Sequence, residues 1–496
     1  MQVQFQPVVT PYLCQRLFQN ESLEETMELK LSPEDPDMSS ILSCWGQSIL
    51  RSKQWQADTL TVTGGVMVWV LYRSAEDDSL RTLETWVPFQ GHWTVPDASR
   101  EGVMRVCCHT QDCEARMISA RRMIVRTGIG VHLEAYQNDE LVSFVPGKLE
   151  DDIQLLQQNK VLSLPILAGE KTFTCEETVL TPSADQNAIP VYTNAIAVTQ
   201  EQRISGEHIL FKGTVLGHIL YKDNNGLETV DFQMPFSQLA ELDREVGDCN
   251  VQVMCGMTGL EMECGEQQWG VKCSVTGQYL VEKNVLVPVV EDAYSPLRSV
   301  EVEYAPFSPV FCLDRLTTPM TLEASLEEKF TPVDAAFYMQ KPETDWKEDM
   351  AELCVSGKYG VLRQNDEGKL TAAASAAQDR RQMGAKGTHT ANIWVEQTGI
   401  PVLMRSGNGG TVKCGCTAHT QMLAADAPKM ICALTVADKI SVDFDGPSVI
   451  LCRAKESDTV WSLAKAYGST VKAIEDVNKL TDDPEEGKML LIPCYR

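Results

Sequence analysis

Several scarcities narrow what this chain can do. Basic residues are few: 43 Lys and Arg stand against 69 Asp and Glu, a formal net charge of -26. Phosphate recognition needs clustered cations, so nucleic acid and anionic membranes are excluded as main partners, and a basic or neutral partner fits better. No apolar run reaches the roughly 18 residues of a spanning helix, so membrane insertion is not expected. The opening Met1-Gln-Val-Gln-Phe-Gln-Pro carries neither a basic nor an apolar segment of a secretory signal, and a cytosolic protein is expected from it. The seven histidines are scattered singly. No H-E-x-x-H, G-x-S-x-G, P-loop or G-x-G-x-x-G occurs. The glycine-rich stretch 406–410 lacks the Lys-Ser/Thr that would make it a phosphate cradle. No catalytic residue, cofactor or enzymatic activity is therefore expected.

Cysteine is not scarce, but its pattern is uninformative. Seventeen thiols in a chain without an export signal read as reduced side chains rather than a disulfide framework. Many lie in strand-like runs such as Val106-Cys107-Cys108, where a thiol behaves as a small apolar residue. Cys414-Gly415-Cys416 with His419 and Cys432, and Cys107-Cys108-His109 with Cys113, lack zinc-ligand spacing, so no metal is expected.

Most of the chain reads as β-strand. Leu60 to Tyr72 is rich in β-branched and aromatic residues, and Leu80 to Phe89, Met104 to Cys113 and Met123 to Leu133 follow as strands. The order then recurs. Val215 to Tyr221 is a strand, Asn225-Gly226 a hairpin signal, and Leu227 to Phe236 closes on Pro235-Phe236 as the first copy closes on Pro88-Phe89. Tyr72 and Tyr221 lie 149 residues apart, Pro88 and Pro235 147 apart. A diverged third copy begins at Leu353 to Leu362. There the Ala-rich Leu370 to Ala377 favours helix, and strands return at 411–416 and 430–436. Each copy carries an extended arm ahead of its strands, at 26–41, 174–189 and, less clearly, 312–322. Ile153 to Val161 has helical spacing. Linkers are expected near 138–147, 293–309 and 438–447. The basic cluster Arg116, Arg121, Arg122 and Arg126 pairs either with a neighbouring repeat or with an acidic partner.

The last fifty residues break this pattern. Val449 to Cys452 is a strand. Val460, Leu463, Ala464 and Tyr467 have helical spacing behind a cap at Ser457 or Asp458, and Gly468 stops that helix. Val471, Ile474 and Val477 mark a second helix, and Met489 to Ile492 a closing strand. Asp458-Thr459-Val460-Trp461-Ser462-Leu463-Ala464, Asn478-Lys479-Leu480 and Gly487-Lys488-Met489-Leu490-Leu491-Ile492-Pro493 together resemble the LysM module, with Ser457 replacing the family's usual glycine. In sugar-binding members the ligand lies between the loop after the first strand and the loop after the second helix. The resemblance places those loops at Asp458, Thr459 and Val460 and at Leu480, Thr481, Asp482, Asp483 and Pro484. Asp458 and Thr459 read equally as helix caps and Leu480 as core. Trp461, next to the cap, reads as an interface residue or as packed on the last strand.

Three β-rich repeats ahead of one LysM resemble the SPOCS repeat proteins of spore-forming bacteria. The carrying features are the strand ends Leu71-Tyr72 and Leu220-Tyr221, the Pro-Phe closures and the Glu114-Ala-Arg-Met117 bend. The resulting expectation is a mainly β chain: sandwich-like repeats at 1–147, 148–300 and 301–440, then a βααβ LysM domain at 445–496. The resemblance implies a scaffold of spore-coat assembly in the mother cell, at the forespore surface. Its LysM loops would bind the coat-basement ATPase, with other coat proteins as further partners. The alternative is binding of peptidoglycan, an N-acetylglucosamine glycan of the spore or cell envelope.

Overall fold

A computed structural model describes residues 2–96, 102–180, 188–224, 226–265, 268–305, 312–327, 329–347, 350–384, 388–406, 409–424, 430–439 and 448–494. Within them the chain is mainly β. It opens with β1 (Gln2–Gln4), β2 (Gln6–Lys30), β3 (Met38–Gln56), β4 (Thr59–Ser74), β5 (Leu80–Thr94), β6 (Val103–Ser119) and β7 (Arg122–Val145). Next come β8 (Gln154–Leu180), β9 (Ile189–Ser205), β10 (His208–Asp223), β11 (Gly226–Glu241), β12 (Asn250–Gly265) and β13 (Gln268–Tyr294). The third stretch holds β14 (Val300–Ala305), β15 (Cys312–Leu326), β16 (Thr331–Met339), β17 (Glu343–Lys347), β18 (Met350–Gln364), β19 (Leu370–Gly384), β20 (Thr388–Gln397), β21 (Val402–Arg405), β22 (Gly410–Ala424) and β23 (Met430–Val436). The end is β24 (Val449–Arg453), α1 (Val460–Tyr467), α2 (Val471–Asn478) and β25 (Met489–Pro493).

One antiparallel plan recurs three times. A long arm strand pairs with a late strand, which pairs in turn with its predecessor: β2-β7-β6, β8-β13-β12 and β15-β22-β20. A meander accompanies each: β3-β4-β5, β9-β10-β11 and β16-β18-β19. The central meander strands carry the apolar load. In β4 nearly every residue from Gly64 to Tyr72 is buried, which is why its sequence reads as a continuous run rather than an alternation. The first two copies match in detail. A methyl group on Gly64 would collide with the Ile49 carbonyl and sit 2.6 Å from the Phe89 ring, and one on Gly213 would collide with the Val198 carbonyl and sit 2.6 Å from Phe236. In both, glycine lets the aromatic ring of the third meander strand lie across the second.

The copies pack together rather than string out. One apolar core runs through the first two and reaches Ala336, Tyr338, Leu362 and Leu370 of the third. Trp45 stacks on Tyr192 with ring centroids 5.2 Å apart. Polar contacts reinforce the junctions. The Gln278 amide exchanges hydrogen bonds with the Val106 backbone at 2.9 and 2.6 Å. The buried Arg105 donates to Glu134 at 2.9 Å and to Gln252 at 3.2 Å. His218 on β10 spans Asp231 on β11 at 2.6 Å and Asp334 on β16 at 2.8 Å, a link between the second and third copies. β1 and β14 flank β23 in a separate three-stranded sheet that joins the chain's first residues to residues 430–436.

Several expectations are corrected. The Ala-rich 370–377 is part of strand β19, paired with β18 from Gln364↔Leu370 to Met350↔Gly384. Ile153–Val161 is not helical: β8 begins at Gln154 and zips along the 27-residue β13. In both cases a long neighbouring strand with open hydrogen-bonding groups outweighs a local helical preference of a few tenths of a kcal/mol per residue. The expected linker at 138–147 is strand as far as Val145, and that at 293–309 contains β14. β6 runs to Ser119 with a tight turn after it, so the basic stretch 116–126 does not bend at Glu114–Met117. Its arginines pair within their own copy, Arg121 with Asp37, Arg122 with Glu28 and Arg126 with Glu24, rather than with a neighbouring repeat. Asn225 of the hairpin signal, residues 181–187 of the second arm, 407–408 of the glycine-rich stretch and most of the 438–447 linker lie outside the described residues.

Candidate ligand-binding site

The C-terminal module is built on the β24–β25 pair, in register at Leu451↔Leu491. The ladder extends into the loops: Ala454 N–H donates to the Lys488 carbonyl at 2.9 Å and Gly487 N–H to the Ala454 carbonyl at 2.8 Å. Gly487 has φ 84°, a left-handed conformation that suits glycine. Two helices cover the inner face of this ribbon, and Ala454, Val460, Leu463, Ala464, Ile474, Leu490 and Ile492 form the core between them.

The structure decides between the capping alternatives. Thr459, not Ser457 or Asp458, is the N-cap of α1. Its hydroxyl accepts from Ser462 N–H at 3.0 Å, and its own N–H donates to Ser462 Oγ at 2.9 Å. Asp458 lies one position too early. Its carboxylate instead accepts from Lys455 N–H at 2.9 Å and closes the loop 455–458. Gly468 ends α1 at φ 63° as expected, Thr470 caps α2, and Lys479 ends it at φ 53°. The Asn478 amide accepts from Leu491 N–H and donates to its carbonyl, clamping the end of α2 to β25.

These constraints bring the two loops to one end of the module. The bridge is Asp483, whose carboxylate accepts from Val460 N–H at 2.8 Å, where the exposed peptide N–H groups of a helix start favour negative charge. Thr459, Thr481, Asp482 and Asp483 are exposed, Asp458 and Leu480 half-buried. The Thr481 hydroxyl donates to Asp482 at 3.0 Å. The Val460 side chain and Pro484 are buried, so Val460 meets this end only through its backbone. The surface so formed offers hydroxyls, carboxylates and peptide groups, which suit a ligand rich in hydroxyl and amide groups.

Trp461 is directed elsewhere. Its indole N–H donates to Asp292 at 2.9 Å, and its ring meets Tyr294 edge-on at 4.8 Å. Lys465, one turn on, reaches both Asp292 oxygens at 2.8 and 2.7 Å. The Tyr294 hydroxyl donates to the Ser469 carbonyl at 3.0 Å, and the ring joins the module's own core. Burial pulls the Asp292 carboxyl up, but Lys465 and Trp461 outweigh it and hold it below the usual carboxylate range. The α1 face carrying Trp461 thus docks on the end of β13, and the ring neither joins the loop surface nor packs on the last strand alone. Asp292 and Tyr294 escape sequence reasoning because they lie about 170 residues from their partners, Tyr294 within and Asp292 just ahead of a stretch expected to be a linker.

Residues 452–493 match the LysM domain family. LysM is a carbohydrate-binding, non-catalytic module, and the match points to peptidoglycan or another N-acetylglucosamine glycan. No curated protein matches the chain. Among the described residues, no group of three or more His, Cys, Asp or Glu is arranged to hold a metal ion, and no helix is long and apolar enough to cross a membrane.

Proposed function

We propose that this chain is a non-catalytic scaffold of a spore or cell envelope whose terminal LysM domain binds N-acetylglucosamine glycan. One observation carries the reading. The domain is anchored to β13 through Trp461, Lys465 and Ser469, and this docking leaves the paired loops 454–459 and 479–488 facing solvent. Exposed threonine hydroxyls, Asp482 and loop peptide groups there match the hydroxyl and acetamido groups of an uncharged sugar chain, which the acidic protein does not repel. Sedimentation of the full chain with purified peptidoglycan, and titration with chitin oligosaccharides, test the proposal. Binding should occur and should weaken in a Thr459→Ala/Thr481→Ala/Asp482→Ala triple variant. A folded chain that stays in the supernatant and ignores the oligosaccharides refutes it.

A second reading is favoured by the thrice-repeated sheet plan and by loop charge, since Glu456, Asp458, Asp482, Asp483, Glu485 and Glu486 outnumber Lys455, Lys479 and Lys488. In it, SPOCS-like repeats at 1–147, 148–300 and 301–440 build a coat scaffold at the forespore surface of the mother cell. The acidic loops of the 445–496 module then hold a basic face of the coat-basement ATPase. Salt-sensitive capture of that protein by the full chain, with no pelleting on peptidoglycan, selects this reading.

A further inference from the structure

The two sheets of the first copy pack face to face, most extensively between β3 and β6. There β3 and β6, which share no ladder, cross with Cys44 Sγ 3.2 Å from Cys113 Sγ. Cys44 pairs in register with Val70 in the meander, and Cys113 with Thr127 in the other sheet, so the two thiols belong to different sheets. The approach is deliberate in its packing. A methyl group on Gly46 would lie 2.9 Å from Val66 Cγ1, 3.2 Å from Thr110 Cγ2 and 3.3 Å from Cys113 Cβ, so a larger residue there would crowd the crossing. Ser48 and Thr110 share a hydrogen bond of 2.8 Å two residues further along the same crossing.

The crossing also lies where the third copy joins the first. Lys358 on β18 pairs with Asp112 at 2.8 Å and with Glu114 at 3.6 Å, the two neighbours of Cys113. Gln340 donates to the Gln111 carbonyl at 2.8 Å. Any covalent bond at Cys113 therefore fixes the strand on which two sheets and two copies converge.

We propose that Cys44 and Cys113 are a redox modification site: a dithiol that a small disulfide oxidant, such as glutathione disulfide, converts into a bond between the two sheets. The sulfurs need to move only about 1 Å to reach the roughly 2.05 Å bond length. Cys44 is half-buried and Cys113 buried, so Cys44 meets the oxidant first. It gives up its proton to the medium, and its thiolate attacks one oxidant sulfur, forms a mixed disulfide and releases one glutathione thiolate, which takes up a proton. Cys113 then gives up its proton to the medium, and its sulfur attacks Cys44 Sγ and expels the second glutathione. Two protein thiols are oxidised to one disulfide and one glutathione disulfide is reduced to two thiols, so protons and electrons balance. Burial pushes the Cys113 thiol well above its ordinary range, which makes the second step the slow one. The bond closes a long chain segment and stabilises chiefly by restricting the unfolded state.

The test uses the full chain. Native protein is treated with glutathione disulfide, free thiols are alkylated under denaturing conditions, and non-reducing peptide maps are read by mass spectrometry. The expected result is one linked peptide pair joining Cys44 to Cys113, with a higher urea midpoint that reductant reverses. Cys44→Ser and Cys113→Ala should each lose both the link and the reversible shift. A folded, treated protein whose 44 and 113 peptides are fully alkylated, or carry only glutathione, or are linked to other cysteines, overturns the proposal. If a variant fails to fold, the wild-type map alone decides.

Discussion

Replacing His218 with Gln removes the charged bridge between the second and third copies. The imidazole lies in a half-buried junction, with one nitrogen donating to Asp231 at 2.6 Å and the other to Asp334 at 2.8 Å. Asp334 is 1% exposed, and its second oxygen has no hydrogen-bond partner. Without the ring, a buried carboxylate loses its counter-charge, a change that costs about 3–5 kcal/mol. The titration agrees in size. Burial disfavours the imidazolium, but Asp334 and Asp231 outweigh burial and push the ring up to about 10. At about 1.4 kcal/mol per pKa unit, a rise from the ordinary 6.5 gives an upper bound near 5 kcal/mol. The sign follows from linkage. A raised folded-state pKa means that the contribution is complete below pH 6.5 and is lost progressively as pH climbs through 10. Urea unfolding of wild type and His218→Gln at intervals from pH 6 to 10 should show the largest gap at pH 6, with the curves converging near pH 10. A gap that stays constant across this range, or one under about 1 kcal/mol at pH 6 as for an exposed pair, refutes the reasoning.

Asp292→Ala should release the LysM domain from β13. The Trp461 indole and the Lys465 ammonium lose their shared acceptor, about 1.5–3 kcal/mol of charged hydrogen bonding, and Trp461 fluorescence should shift to the red while binding of short chitin oligosaccharides persists. Thr459→Ala removes the α1 cap and should lower the stability of the terminal domain by about 1 kcal/mol, read as earlier hydrogen exchange in α1 with β4 unchanged. Gly64→Ala and Gly213→Ala should each destabilise by about 1–3 kcal/mol through the same collision with a carbonyl and a Phe ring. A large effect at one position and none at the other would break the equivalence of the first two copies.

Strand identity was legible wherever both partners are themselves β-rich. The runs around Val66–Leu71 and Val215–Leu220 are apolar and β-branched, and both are central meander strands. The 149-residue spacing of Tyr72 and Tyr221 carried real structural equivalence, as the matched glycine contacts at 64 and 213 show. Reading failed where the partner, not the segment, decides the conformation. Residues 370–377 are alanine-rich, yet β18 alternates buried Val355, Tyr359 and Val361 with half-buried residues and needs a neighbour along its whole length. Alanine supplies that neighbour, because small side chains pack against either face without obstruction. Capping stayed open among Ser457, Asp458 and Thr459 for a related reason: all are competent caps, and Thr459 is the one with the reciprocal bonds to Ser462, beside the bridge from Asp483 to Val460.

Trp461 shows how a residue's type is legible while its partner is not. An amphipathic ring beside a helix cap signals an interface, and the interface exists, but its other half is Asp292 and Tyr294 at the end of β13. This changes what the LysM domain can do. A module tethered by chain alone would sample many orientations, and a ligand would bear the ordering cost on binding. Docking through three side-chain contacts and the Tyr294–Ser469 bond meets that cost within the fold. The loops at 454–459 and 479–488 are thereby presented in one direction by a scaffold whose own copies are packed together. If orientation matters to attachment, Asp292→Ala should leave the affinity for short chitin oligosaccharides unchanged but weaken retention on intact peptidoglycan, where several chains bind one surface at once. Equal retention by the undocked variant would show that the contact with β13 serves stability alone.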